Sequence, residues 1–224
     1  MKALIVGGTS GLGLELAKKF KGQFDVFITG RNNPNIDGLT FLSFDIKGVE
    51  SLAADVEEVL RRTGDIDLFI YAAGFYQEGT IADLSDEDIL CMNAVGLVSP
   101  ALFLNRILKQ QKTLLGFISI TSTSQWTPRL KEPMYNAVKG GLGMLTAAVS
   151  LDPKITKTML VGPAGMKTNF WSKTKQDQSE YMDPEWVAEQ VFIHWKEDYE
   201  YKYIRILRQP PRVEVMETRL EKGI

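Results

Sequence analysis

Tyr135 and Lys139 stand four residues apart in "PMYNAVKGG", and Ser122 lies upstream of them in the hydroxyl-rich run "TSTS". A phenol beside an ammonium, with a hydroxyl donor near by, is equipped to protonate the alkoxide that forms when hydride adds to a carbonyl. A free tyrosine has a pKa of about 10, and bringing it near 7 requires about 4 kcal/mol of preference for the phenolate. One ammonium at roughly 4 Å supplies about that much in a partly buried site. Residues i and i+4 are neighbours on one helix face, so Lys139 is expected beside Tyr135, lowering its pKa. The same spacing also arises by accident in chains rich in lysine, so the rest of the sequence has to decide.

A second group binds rather than reacts. Gly7, Gly11 and Gly13 fall in "GGTSGLG", with Thr9, Ser10 and Leu12 between them, after the apolar run "KALIV" and before a helix-type segment. Glycines there let the backbone approach a pyrophosphate, which the free N–H groups and positive end of the helix hold. The end of the next β-type run reads Gly30-Arg31, where an acid would normally hold the ribose hydroxyls of NAD. A guanidinium suits a 2′-phosphate instead, so NADP(H) is favoured and NAD(H) remains an alternative. Asp45 and Ile46 are placed to border the adenine, and Ala73-Gly74 to line the cofactor cleft.

The elements that position these residues alternate along the chain. The continuous apolar run at 2–6 reads as a buried strand, and short β-type runs at 24–29, 39–44, 67–73, 114–120 and 156–162, with a possible seventh at 201–207, read as further strands. Helical periodicity occupies the segments between them, including 49–62, 85–111 and 134–150, with a break or kink expected at Gly96 and Pro100. This order predicts an α/β fold: one doubly wound, mostly parallel Rossmann sheet of about seven strands, forming a single domain over 1–208. Residues 166–182 are expected to form a short substrate loop, and 209–224 a surface tail.

With one His, one Cys and a net charge of −2, the chain offers no His/Cys metal set, no internal disulfide and no clustered positive face for nucleic acid. No uninterrupted apolar run of 18 residues suggests a membrane span, so a cytoplasmic protein is expected. Its partners are expected to be small molecules, with no nucleic acid and no membrane.

Phosphate loop, "AAG", Asn93, the Ser/Thr cluster and Tyr135-x-x-x-Lys139 occur in one order on one chain. In that order the sequence resembles the short-chain dehydrogenase/reductase family over roughly residues 2–208. The resemblance implies hydride transfer between NAD(P) and an alcohol or carbonyl, with Asn93, Ser122, Tyr135 and Lys139 as the catalytic set. It implies Tyr135 as general acid/base, Lys139 on the nicotinamide ribose, Ser122 on the substrate oxygen and Asn93 holding a relay water. "PAGMKT" is similar to the family motif whose Pro163 and Thr168 would line the nicotinamide pocket, and a homo-oligomer is a further implication. Thr121, Thr123 and Ser124 remain alternatives to Ser122.

Several positions depart from the family pattern. Tyr71 and Ala72 stand where asparagines are usual, Ala164 where a glycine is, and the interval from Lys139 to Pro163 is short. Phe75, Tyr76, Trp126, Phe170 and Trp171 fall in loops after strands and suggest an apolar or ring-bearing substrate. The alternative is a non-catalytic NADP(H)-binding regulator on the same fold.

Overall fold

The computed structural model describes residues 1–46, 48–172, 174 and 176–221. Seven parallel strands, β1 (Lys2–Val6), β2 (Asp25–Gly30), β3 (Leu39–Ser43), β4 (Leu68–Tyr71), β5 (Leu114–Ile120), β6 (Ile155–Pro163) and β7 (Tyr201–Arg208), follow the sequence expectation. The sheet order is β3-β2-β1-β4-β5-β6-β7-β8, where β8 (Pro211–Arg219) runs antiparallel to β7. This eighth strand replaces much of the surface tail expected for 209–224, although most of its residues remain exposed. Residues 222–224 of that expected tail lie outside the described residues.

Helices α1 (Gly11–Phe20), α2 (Leu52–Thr63), α3 (Asp86–Asn93), α4 (Ser99–Gln110), α5 (Pro133–Val149) and α6 (Pro184–Trp195) cover both faces. Because successive strand side chains point to opposite faces, β1 feeds two cores at once. Ala3 and Ile5 pack with Leu16 and Phe20 of α1 and Val191 and Trp195 of α6. Leu4 and Val6 join Val56 and Leu60 of α2, Phe103 and Ile107 of α4 and Leu142 of α5.

The expected break at Gly96 is milder than a break. Residues Ala94–Val98 form a π turn just ahead of Pro100, whose missing N–H takes one bond out of the ladder without ending the helix. The helical run Asp86–Gln110 is therefore continuous, and by length and composition it could cross a membrane. Here it packs on the sheet, with Phe103, Leu104 and Ile107 buried. Tyr71, fully buried in β4, donates its hydroxyl to the Val95 carbonyl inside the π turn. That bond joins the central sheet to the irregular helix at the position where the family pattern has asparagine.

Candidate active site

The chain winds outward from β1 to β3 and then returns to β4, so the C-terminal ends of β1 and β4 part at a topological switch point. A cleft of about 800 Å³ opens there and runs from the glycine loop to α5.

At one end the loop is built for close approach. Gly7 has φ +83°, and a Cβ on it would lie 2.6 Å from the Ala73 backbone. A Cβ on Gly13 would lie 2.1 Å from the Gly7 carbonyl oxygen. Ser10 precedes α1 without its side chain capping the helix, and the first turn carries no acidic residue. The N–H groups at this end are thus left to an outside acceptor, and the dipole favours an anion. This cradle fits a dinucleotide pyrophosphate. Gly7, Thr9, Ser10, Gly11, Leu12 and Gly13 all line the cleft, as do Arg31, Asp45, Ile46, Ala73 and Gly74. Arg31 is exposed at its rim, immediately after β2.

At the other end, Tyr135 and Lys139 share the buried face of α5, 7% and 4% exposed. The Lys139 ammonium donates to the Ile120 carbonyl at 3.0 Å and lies 5.7 Å from the Tyr135 ring centroid. Burial dominates both groups. It pushes the Tyr135 phenol up, with the Ser122 hydroxyl pulling the other way, and it lowers the Lys139 ammonium to about 8. The expected lowering of Tyr135 by Lys139 is thus corrected. Both side chains are buried, and that burial outweighs the attraction expected of a partly wetted site. A phenol held neutral is still the form that donates a proton.

The hydroxyl run is sorted by its partners. Thr121 donates to the Val161 carbonyl and to Gln125, Thr123 accepts from Arg129, and Ser124 donates to Glu132. Ser122 donates to the Ser124 hydroxyl and accepts from the Ser124 N–H, and it lines the cleft together with Tyr135. Pro163 ends β6 at the cleft wall, and the methyl of Thr168 would stand 3.3 Å from a Cβ placed on Gly11, closing the site against the glycine loop. Asn93 is the exception. It closes α3 just before the π turn and is not among the residues lining the cleft.

The short chain dehydrogenase family model matches residues 1–179. The chain belongs to the short-chain dehydrogenase/reductase family. It is 28% identical to a putative ketoacyl reductase of Streptomyces coelicolor over 67% of this chain and 64% of that protein, so the match spans less than two thirds of that relative. It is 25% identical to the 3-oxoacyl-(acyl-carrier-protein) reductase of Buchnera aphidicola, over 79% of this chain and 78% of that one. Among solved structures, an alcohol dehydrogenase of the archaeon Thermococcus sibiricus complexed with 5-hydroxy-NADP superposes with a TM-score of 0.78 at 20% identity. That superposition covers 95% of this chain and 98% of the other.

The Tyr135 end of the cleft is ringed by aromatics. Phe75, Tyr76, Phe170, Trp171 and Tyr181 line it, and the Tyr76 and Phe170 rings lie 5.7 and 5.9 Å from Tyr135. Trp126 belongs elsewhere: it packs on Tyr203 and Arg205 and fills the space over Gly162. Sequence reading missed Glu132, Arg129 and Gln176. Glu132 is buried and accepts hydrogen bonds from Tyr76, Ser124 and Arg129, while Gln176 donates to Tyr76 and accepts from Tyr181. A Glu directly before the Pro that opens α5 was the available signal, since an acid there reads at first as a surface cap.

Proposed function

We propose that the protein is an NADP(H)-dependent oxidoreductase that interconverts a carbonyl and an alcohol on a small molecule. The observation that carries this reading is one cleft with a glycine cradle at one end and the buried Tyr135–Lys139 pair, with Ser122, at the other. Bound nicotinamide supplies or accepts the hydride. Tyr135 gives its phenolic proton to the substrate oxygen in reduction and takes it back in oxidation. Ser122 holds that oxygen by a hydrogen bond. Lys139, ionised below about 8, places positive charge where negative charge develops and holds the ribose.

Arg31, exposed at the rim after β2, supports a preference for the 2′-phosphate of NADP(H). The Thermococcus sibiricus alcohol dehydrogenase of like fold is complexed with 5-hydroxy-NADP, which is in keeping with that preference. The ring-lined substrate end supports an apolar or aromatic carbonyl. The test is NADPH and NADH consumption across a panel of ketones and aldehydes. Turnover with NADPH on ring-bearing members is expected, and binding of NADPH without turnover of any carbonyl or alcohol would replace this reading with a regulatory one.

A further inference from the structure

Four cationic side chains line the cleft among the described residues, and three of them have a place in the account above. Arg31 stands at the rim after β2, Lys139 donates to the Ile120 carbonyl, and Arg129 pairs with Glu132 at 3.2 Å. The fourth is Arg208, the last residue of β7. It is half-buried, and its guanidinium lies 4.8 Å from the Tyr181 ring centroid, with no carboxylate or carbonyl partner among the described residues. Glu180, next to Tyr181 in the chain, accepts from the Gln209 amide instead.

The fold ties this cation to the reacting phenol. Ile206 of β7 pairs with Pro163 of β6 at the cleft wall, so Arg208 stands two residues further toward the C-terminal end of the sheet, where such folds place their ligands. A Cβ on Gly165 would lie 2.9 Å from Tyr181, so that ring sits directly on the backbone beyond Pro163. The Tyr181 hydroxyl donates to Gln176 at 2.6 Å, which holds the ring at its outer end. From Tyr181 the ring contacts run inward to Trp171 at 5.3 Å, from there to Tyr76 at 5.0 Å, and from Tyr76 to Tyr135 at 5.7 Å. One continuous aromatic wall thus has the phenol at one end and the guanidinium at the other.

A ring contact satisfies none of the N–H donors of an arginine. Arg208 therefore keeps its planar fork, which matches the two oxygens of a carboxylate and is more weakly hydrated than an ammonium. The acid nearest the phenol, Glu132, is already taken by Arg129, Tyr76 and Ser124, so nothing at this end of the cleft offsets the charge of Arg208. We infer that the carbonyl substrate carries a carboxylate, which Arg208 binds while the carbonyl lies at Tyr135 and an apolar or ring-bearing spacer follows the aromatic wall. The inference rests on the Tyr135 end being the place of the carbonyl. Arg208 touches no reacting atom; it selects the substrate.

The test uses aryl ketones and aldehydes that bear a carboxylate on side chains of one to six carbons, each beside its methyl ester. With the NADPH-loaded enzyme, the acid of fitting length should exceed its ester in kcat/KM by about 10- to 100-fold, the scale of hydrogen bonds to a charged group. Arg208→Met should bring that ratio near one, through the KM of the acid and with its kcat little changed. Arg208→Lys keeps a charge without the fork, so an intermediate ratio is expected, and it carries the test if the Met variant does not fold. No preference for any acid in the wild type, or a preference that survives in Arg208→Met, would overturn the inference. A loss of NADPH affinity in Arg208→Met with the acid preference intact would also overturn it, by giving the guanidinium to a cofactor phosphate. Calorimetric binding of acid and ester to the NADP-loaded protein separates this inference from the oxidoreductase reading. Arg208-dependent preference for the acid without turnover of any member would uphold the anion site and refute the reaction instead.

Discussion

Lys139→Met should yield a protein that is more stable at neutral pH and no longer active. Burial lowers the Lys139 ammonium from 10.5 to about 8, so below that pH the folded protein carries a charge it would rather lose. At about 1.4 kcal/mol per pH unit the penalty is about 3 kcal/mol. Met fills a similar volume without the charge, but leaves the Ile120 carbonyl without its 3.0 Å donor, at a cost of about 1 kcal/mol. The variant should therefore gain about 2 kcal/mol at pH 7. The sign reverses with pH. Between about 8 and 10.5 the unfolded chain binds the proton that the folded chain has lost, so wild-type stability rises through this window while the contribution is absent from the variant. By pH 10.5 the wild type should be the more stable by about 1 kcal/mol. Urea denaturation of both proteins at pH 7, 8.5 and 10.5, without cofactor, measures the difference directly. A variant less stable at pH 7 by an amount that does not change with pH would refute the reasoning, because burial of the charge would then not be the dominant effect.

Three further substitutions probe the scaffold and the cofactor end. Gly13→Ala would press a Cβ to 2.1 Å from the Gly7 oxygen, so the loop must move; a loss of about 1–3 kcal/mol in stability and weaker NADPH binding are expected by denaturation and fluorescence titration. Tyr71→Phe leaves the Val95 carbonyl without its hydroxyl donor in a fully buried site, and should cost about 1–3 kcal/mol in thermal unfolding. Arg31→Ala should reduce NADPH affinity about tenfold or more while leaving NADH affinity nearly unchanged, on the scale of a charge-assisted contact; equal losses for the two cofactors would contradict the assigned contact.

What could be read from the sequence was local or periodic. The apolar run Lys2–Val6, the glycines after it and the four-residue step from Tyr135 to Lys139 each carry their structure in nearest neighbours and helix period, and each element formed where expected. What could not be read depended on distant partners. The segment Pro211–Arg219 has a strand's alternation, but only the pairing of Val213 with Ile206 and Val215 with Ile204 makes it a strand, and two prolines precede that pairing. Glu132 acquires its significance from Tyr76, which arrives from the loop after β4. The direction of the Tyr135 shift was likewise hidden, because sequence spacing sets which groups meet and says little about how thoroughly water is excluded. Gly143 illustrates the boundary: its smallness was plain, yet only the structure shows Gln125 lying where its Cβ would be, 2.5 Å away.

The central claim is that Tyr135 is the acid and base of a hydride-transfer reaction in this cleft. Substitution by Phe removes one oxygen and keeps the ring that packs against Tyr76 and Phe170. NADPH consumption with the best carbonyl of the panel, measured beside NADPH binding for wild type and Tyr135→Phe, is the most direct test. The account predicts a loss of at least about 100-fold in turnover with binding unchanged; full turnover by the variant would contradict it.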